Sequence, residues 1–188
     1  SSVSDEDVTV SLSTSGTATE GTDYTDGSGN IDDITISAGD TTGTVNFTPT
    51  DDSVYEGNET AIIAISGVSG ADATENGTQT VTITITENES APTITLARSA
   101  ASIDENSGST ITLTATISGV TDSAVTVALS TSGTATEGTD YGTISDITIS
   151  AGATTGTATL DPTDDNVYED DETATIDISS VSGKSGVT

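Results

Sequence analysis

Valine, isoleucine and leucine recur along this chain at alternate positions, spaced by Thr and Ser, in short runs bounded by Gly and Asp. A period of two puts every second side chain on one face of an extended strand, so each run reads as a half-buried strand. The runs are Val8, Val10 and Leu12; Ile34 and Ile36; Val45 and Phe47; Ala61, Ile63 and Ile65; and Val81, Ile83 and Ile85. The Gly-rich stretches Ser15 to Asn30 and Gly67 to Gly77 read as loops. Beyond Pro92 a second series begins with Ile94 and Leu96, passes Ile103 and a turn at Asn106–Gly108, and continues through Ile111, Leu113, Ala115 and Ile117. It then runs through Val125, Val127 and Leu129; Ile147 and Ile149; Ala158 and Leu160; and Ala174, Ile176 and Ile178. No helix of any length is expected. Tyr24, Tyr55, Tyr141 and Tyr168 are expected to cover edges of the core.

The two series are copies of one another, a signal that precedes any argument about fold. VTVSLSTSGTATEGTDY at 8–24 returns as VTVALSTSGTATEGTDY at 125–141, an offset of 117 residues from Val8 to Val125. ITISAGDTTGTVNFTPTDD at 34–52 returns as ITISAGATTGTATLDPTDD at 147–165, an offset of 113 from Ile34 to Ile147. The first copy therefore carries four extra residues within TDGSGNID at 25–32, an insertion in a loop. Short alternating strands joined by Gly and Asp turns predict an all-β fold of tandem antiparallel seven-stranded β-sandwiches, Ig-like in type. Residues 1–90 form the first, without its first two strands, and residues 91–188 the second, without its last. A junction as short as Ser90–Pro92 is expected to set neighbouring sandwiches nearly end to end. The missing strands are expected upstream and downstream in the same polypeptide, and Ser1 in place of Met fits a start inside a longer precursor.

Composition narrows the partners. Thirty-one acids face two bases, Arg98 and Lys184, for a formal charge of −29. Such a chain is not expected to bind nucleic acid or anionic lipid, which are held through Lys and Arg, and no apolar run approaches the roughly 18 residues of a membrane span. Low hydrophobic content with high charge would suit disorder, but the alternation decides for strands. Cys and His are absent, so disulfides, thiolate metal sites and the usual nucleophile–base pairs are unavailable. With few aromatics to stack on a sugar and the same acids in both copies, an enzyme is not expected, although paired carboxylates can cleave glycosides.

The densest acid lies in TPTDDSVYEGNET at 48–60 and DPTDDNVYEDDET at 161–173. Asp51, Asp52, Glu56 and Glu59 match Asp164, Asp165, Glu169 and Glu172, with no Lys or Arg in either stretch. A folded loop bringing these acids together is destabilised by like charge unless a cation intervenes. Calcium, a hard ion taking about six to eight oxygen ligands, is the candidate; the alternative is a solvated, charged turn.

GTATEGTDY, ITISAG, TDDSVYEGNE and VTITITENE, in that order and spacing, resemble the Calx-beta repeat over essentially the whole chain, in two incomplete copies. The resemblance implies a seven-stranded sandwich with calcium bound by acidic loops at one end. Its ligands in the first copy would be Asp23, Asp51, Asp52, Glu56 and Glu59, with Glu87 and Glu89 after the last strand. In the second they would be Asp140, Asp164, Asp165, Glu169 and Glu172, with Glu105 near the start of the domain. In the family's topology these loops lie at the pole facing the next domain, beside Ser90–Pro92, where bound calcium would stiffen the junction.

Near-identical repeats build quasi-one-dimensional structures, and with a Thr/Ser/Gly-rich, acidic composition they predict an extracellular or cell-surface stalk, adhesin or filament whose partners are calcium and neighbouring repeats or fibre subunits. The alternatives are an adhesive module binding a surface glycan or protein through its loop tips, and an intracellular calcium-sensing domain pair.

Overall fold

The computed structural model describes residues 3–188. Its strands are β1 (Val8–Gly16), β2 (Tyr24–Thr25), β3 (Ile34–Ile36), β4 (Thr48–Pro49), β5 (Val54–Tyr55), β6 (Glu59–Ser69), β7 (Thr80–Ile85), β8 (Ile94–Arg98), β9 (Ile111–Ile117), β10 (Val120–Thr121), β11 (Val125–Gly133), β12 (Ile147–Ile149), β13 (Thr155–Leu160) and β14 (Ala174–Ser182). Among the described residues the only helical piece is the 3-10 turn Glu105–Ser107. The chain divides into two units. Residues up to Asp52 with Gly57–Asn88 form one, and Ser53–Glu56 with Glu89–Thr188 the other.

In the second unit two three-stranded antiparallel sheets, β12-β11-β14 and β13-β9-β8, enclose the core. Ile111, Leu113, Ala115 and Ile117 of β9 alternate inward, as the period-two pattern predicts, onto Val125 and Val127 of β11 and Ile147 and Ile149 of β12. The last four of these are fully buried. Ile103, expected to continue a strand, instead packs against this core just before the 3-10 turn.

The first unit has a four-stranded sheet, β3-β1-β6-β7, and the two-stranded β2-β4. Its buried core is Ala18, Tyr24 and Ala61, with Ile31, Phe47 and Ile85 packed on it. Tyr24 stacks on Phe47, ring centroids 4.7 Å apart. The expected strand through Val45 and Phe47 does not form: only Thr48–Pro49 pairs, with β2. The matching segment of the second unit is β13, laddered over Thr155–Leu160 onto β9. A ladder needs a partner, and among the described residues the first unit has no strand in the position of β9.

Both copies share a β-bulge, where β6 carries the extra residue Ser66 opposite Ser11 and Leu12 of β1 and β14 carries Ser179 opposite Ala128 and Leu129 of β11. A bulge disrupts the ladder locally and leaves a residue unpaired. Here the Leu12 N–H donates to Asp33 Oδ1 at 2.9 Å and the Leu129 N–H to Asp146 Oδ1 at 3.0 Å. An acid immediately before ITIS thus takes up the strand N–H beside the bulge in each copy.

One pairing is parallel. Within the second unit β5 lies beside β10, Val54 opposite Val120 and Tyr55 opposite Thr121. The tyrosines divide accordingly. Tyr24 and Tyr141 are buried rather than at the core edge, Tyr55 is half-buried, and Tyr168 is 90% exposed. Tyr168, in the loop between β13 and β14, therefore does not cover the core as expected.

Candidate metal centre

The GTATEGTDY segment folds the same way in both copies. Gly16 and Gly133 close β1 and β11 with φ near +120°, and a Cβ on either would lie within about 2.1 Å of the Thr60 or Thr173 carbonyl oxygen. That close approach lets the Thr60 carbonyl accept from the N–H groups of Thr17 and Ala18 at 2.9 and 3.0 Å, and Thr173 do likewise for Thr134 and Ala135 at 2.9 and 3.1 Å. The turn that follows is held by its aspartate. Asp23 N–H donates to the Thr19 carbonyl while its carboxylate accepts from Thr19 N–H at 2.5 Å. Asp140 repeats this with Thr136, at 2.6 Å. The aspartate carbonyls then accept from Thr50 and Thr163, each at 2.9 Å, pinning the start of the acidic loop beside the turn.

The result is a convergence of carboxylates. Asp140, Glu169 and Glu172 can each present one oxygen with all three within 4.8 Å of one another, and within the first unit Asp23 and Glu59 can do the same. Ligands about 2.4 Å from one calcium ion are separated by at most about 4.8 Å, so three oxygens this close fit a shared hard cation. Asp23 is 8% exposed, whereas Glu169 and Glu172 are exposed.

Electrostatics mark the second cluster as crowded. Loss of surrounding water, then repulsion from Asp140, Asp165 and Glu105, pushes the Glu169 carboxyl above the ordinary glutamate range. Glu172 is raised by loss of water, by the charge of Asp140, by a hydrogen bond that lets it share a proton with Asp140, and by Glu169. Glu105 and Asp165 thus belong to the field of the cluster. Asp165 also accepts from the Val167 N–H at 2.6 Å, shaping the loop.

The other candidate ligands are placed differently. Glu87 Oε2 accepts from the Gly57 N–H at 2.6 Å and its Oε1 from the Asn88 N–H at 2.9 Å, so its carboxylate holds the end of β7 to the acidic loop. Asp51 Oδ1 accepts from the Asn88 side chain at 2.8 Å. Asp52 and Asp164 are exposed, Glu89 is half-buried, and neither carboxylate cluster includes them. Two positioning residues escaped the sequence reading. Asn88 holds Asp51, and Asn58 accepts the Glu87 N–H at 2.9 Å. Their signal was the interruption of an acidic run by an amide that can donate as well as accept.

The fold resembles two solved structures, described as the crystal structure of CBD12 from CALX1.2 and that of calcium binding domain CBD12 of CALX1.1. The first is 21% identical at a TM-score of 0.37, covering 86% of this chain and 64% of that one. The second is 22% identical at a TM-score of 0.35, covering 84% of this chain and 64% of that one. The chain thus spans about 64% of the length of either. No curated protein matches it. The Calx-beta domain model matches twice in tandem, over residues 2–89 and 87–187, and the chain belongs to the Calx-beta family.

Proposed function

We infer that this chain is a non-catalytic pair of Calx-beta domains that bind calcium, working as structural repeats of a secreted or surface-displayed stalk, adhesin or filament. The observation carrying the reading is the convergence of Asp140, Glu169 and Glu172 within one unit. Two of these carboxyls are pushed up by loss of water and then by repulsion from their acidic neighbours, and a divalent cation relieves that repulsion. Oxygen donors alone, with neither His nor Cys in the chain, favour calcium over zinc or copper. Asp140, Glu169 and Glu172 would hold the ion in the second copy, and Asp23 with Glu59 would do so in the first. The ion supplies positive charge to a chain of net −29, while these residues orient the loops around it. Because Glu87 joins the end of β7 to the acidic loop, an ion ordering that loop also restrains the chain entering Ser90–Pro92, where Pro92 fixes its φ and restricts Ala91.

Calorimetric titration tests this and separates the setting. An extracellular structural module is expected to bind calcium at about 10⁻⁴–10⁻³ M, an intracellular sensor at about 10⁻⁷–10⁻⁵ M. Asp140→Asn with Glu172→Gln should remove the second copy's share of the heat. Absence of any calcium heat would overturn the metal reading, and sensor-range affinity would overturn the structural one. Small-angle scattering should show a longer maximum dimension in calcium than in chelator; identical profiles would leave calcium a local staple.

A further inference from the structure

Closing a succinimide between a side-chain carbonyl carbon and the next main-chain nitrogen needs Asn or Asp followed by an unhindered residue, and glycine, without a Cβ, hinders least. Two pairs meet that condition, Asn76–Gly77 and Asp26–Gly27, and none of the other six asparagines precedes a glycine. The structure treats the two pairs oppositely.

At Asp26–Gly27 both reacting groups are occupied. Asp26 Oδ1 accepts from the Ser28 N–H at 2.7 Å, the Ser28 hydroxyl at 2.8 Å and the Gly29 N–H at 3.1 Å. These bonds hold the carboxyl below its ordinary range, as the anion that a nitrogen attacks poorly, and the Gly27 N–H donates to Thr25 Oγ1 at 3.0 Å. Asn106 precedes the small Ser107, but the Ser107 N–H donates to the Asp104 carbonyl at 3.1 Å.

Asn76–Gly77 differs on each count. Both residues are exposed, in the loop at 70–79 between β6 and β7. Gly77 has φ near +71°, and apart from its chain neighbours no atom lies within 4 Å of where a Cβ would stand. Gln79 serves the main chain here, its side-chain amide donating to the Asn76 carbonyl at 2.9 Å and its N–H to Glu75 Oε1 at 3.0 Å. Among the described residues nothing bonds the Asn76 carboxamide or accepts from the Gly77 N–H.

We propose that Asn76 is a site of spontaneous deamidation. The Gly77 nitrogen gives its proton to solvent base and attacks Asn76 Cγ; the new C–N bond closes the ring as the side-chain nitrogen leaves as ammonia. Water then opens the ring at either carbonyl, so the balance is amide and water to acid and ammonia. Opening at the Cγ carbonyl gives aspartate, a further negative charge next to Glu75 on a chain already at −29. Opening at the main-chain carbonyl gives isoaspartate and routes the backbone through the side chain, one methylene longer. That insertion falls just before the Gln79 carbonyl, which accepts from the Ile65 N–H at 3.1 Å where β7 begins to pair with β6. The loop therefore records the age of the molecule.

Ageing the full chain at mildly alkaline pH, native and in denaturant, with peptide mapping for aspartate and isoaspartate and anion exchange for the added charge, tests this without reference to calcium. In the native chain product should accumulate at residue 76, at a rate comparable to that in denaturant, and isoaspartate at residue 26 should appear in denaturant only. Asn76→Gln, at an exposed position and checked for unchanged melting, should lose the acidic species, because glutamine would have to close a six-membered ring. An Asn76 that stays intact in the native chain while it reacts in denaturant would overturn the proposal. So would isoaspartate forming at residue 26 of the native chain as fast as at residue 76, or an acidic species that persists in Asn76→Gln.

Discussion

ITISAG occurs at 34–39 and again at 147–152, yet the two copies live in different surroundings. Ile147 and Ile149 are fully buried, while Ile34 and Ile36 are only half-buried. Val125 and Val127 are likewise fully buried, against 9% exposure for Val8 and half-burial for Val10. The ladders of β1 with β3 and of β11 with β12 have the same register, so local sequence is not the cause. The second unit has β8 and β9 lying across this sheet; among the described residues the first unit does not. Identical strands thus form identical ladders, but the depth of burial is set by what a facing sheet covers.

Core truncation should widen this contrast most. Ile147→Ala removes a fully buried side chain and should cost about 2–5 kcal/mol, whereas Ile34→Ala, at a half-buried position, should cost less than half as much. Denaturant melts of the two variants, with amide exchange to report which unit opens, would make the comparison. Equal losses would show that the first unit's core is as tightly covered as the second's.

Calcium should act on both units, because both loops converge. Binding to the native state alone adds about 2.7 kcal/mol at a hundredfold excess over Kd, so melts in calcium and in chelator should separate widely. Asp140→Asn should abolish the shift for the second unit and leave the first unit's in place, with amide exchange again reporting each unit. A loss in both units at once would mean that the two sites do not act separately.

The bulges should respond nearly alike in the two copies. Asp33→Ala and Asp146→Ala each remove a charged acceptor from a strand N–H beside the bulge, and each should cost about 1.5–3 kcal/mol. The main-chain bond is the same, but Asp33 also accepts from the Ser11 hydroxyl at 2.9 Å where the second copy has Ala128, so Asp33→Ala should cost slightly more; a difference much larger than one exposed hydroxyl bond would indicate that the surrounding core carries the effect.

The smallest effect is a pH dependence of the second unit without calcium. Glu169 and Glu172 have folded values above the ordinary range, so between the unfolded and folded values the native state binds more protons. Stability contributed there is present at low pH and falls as pH rises through the raised values. Asp122 runs the other way. Burial opposes its charge, but hydrogen bonds from Lys184, at 2.7 Å, and from Ser123 outweigh it and hold the carboxyl low. Its contribution is present at neutral pH and lost as pH falls through the lowered value. In chelator the second unit should therefore melt higher at mildly acidic than at neutral pH, and Glu169→Gln with Glu172→Gln should flatten that rise. An unchanged rise in the double variant would assign it to the net charge of the whole chain.

Strand identity, the repeat and the acids of the two loops were legible in the sequence because they are local. Alternation, offset and charge density each need only neighbouring residues, and β1, β3, β6 and β7 with β8, β9 and β11 to β14 all lie on predicted apolar runs. Which acids meet was less legible. Asp23 and Asp140 converge with glutamates far along the chain, through a turn held by their own carboxylates, whereas Glu87 and Asp51 are engaged by Gly57 and Asn88. What only the tertiary structure decided is the fate of equal sequences. Val45 to Phe47 lies outside any strand while its counterpart ladders onto β9, and Val54–Tyr55 is paired while Val167–Tyr168 stands exposed. A strand is half of a hydrogen-bonded pair, and its partner lies elsewhere in the chain, so no reading of the segment alone can say whether the other half is there.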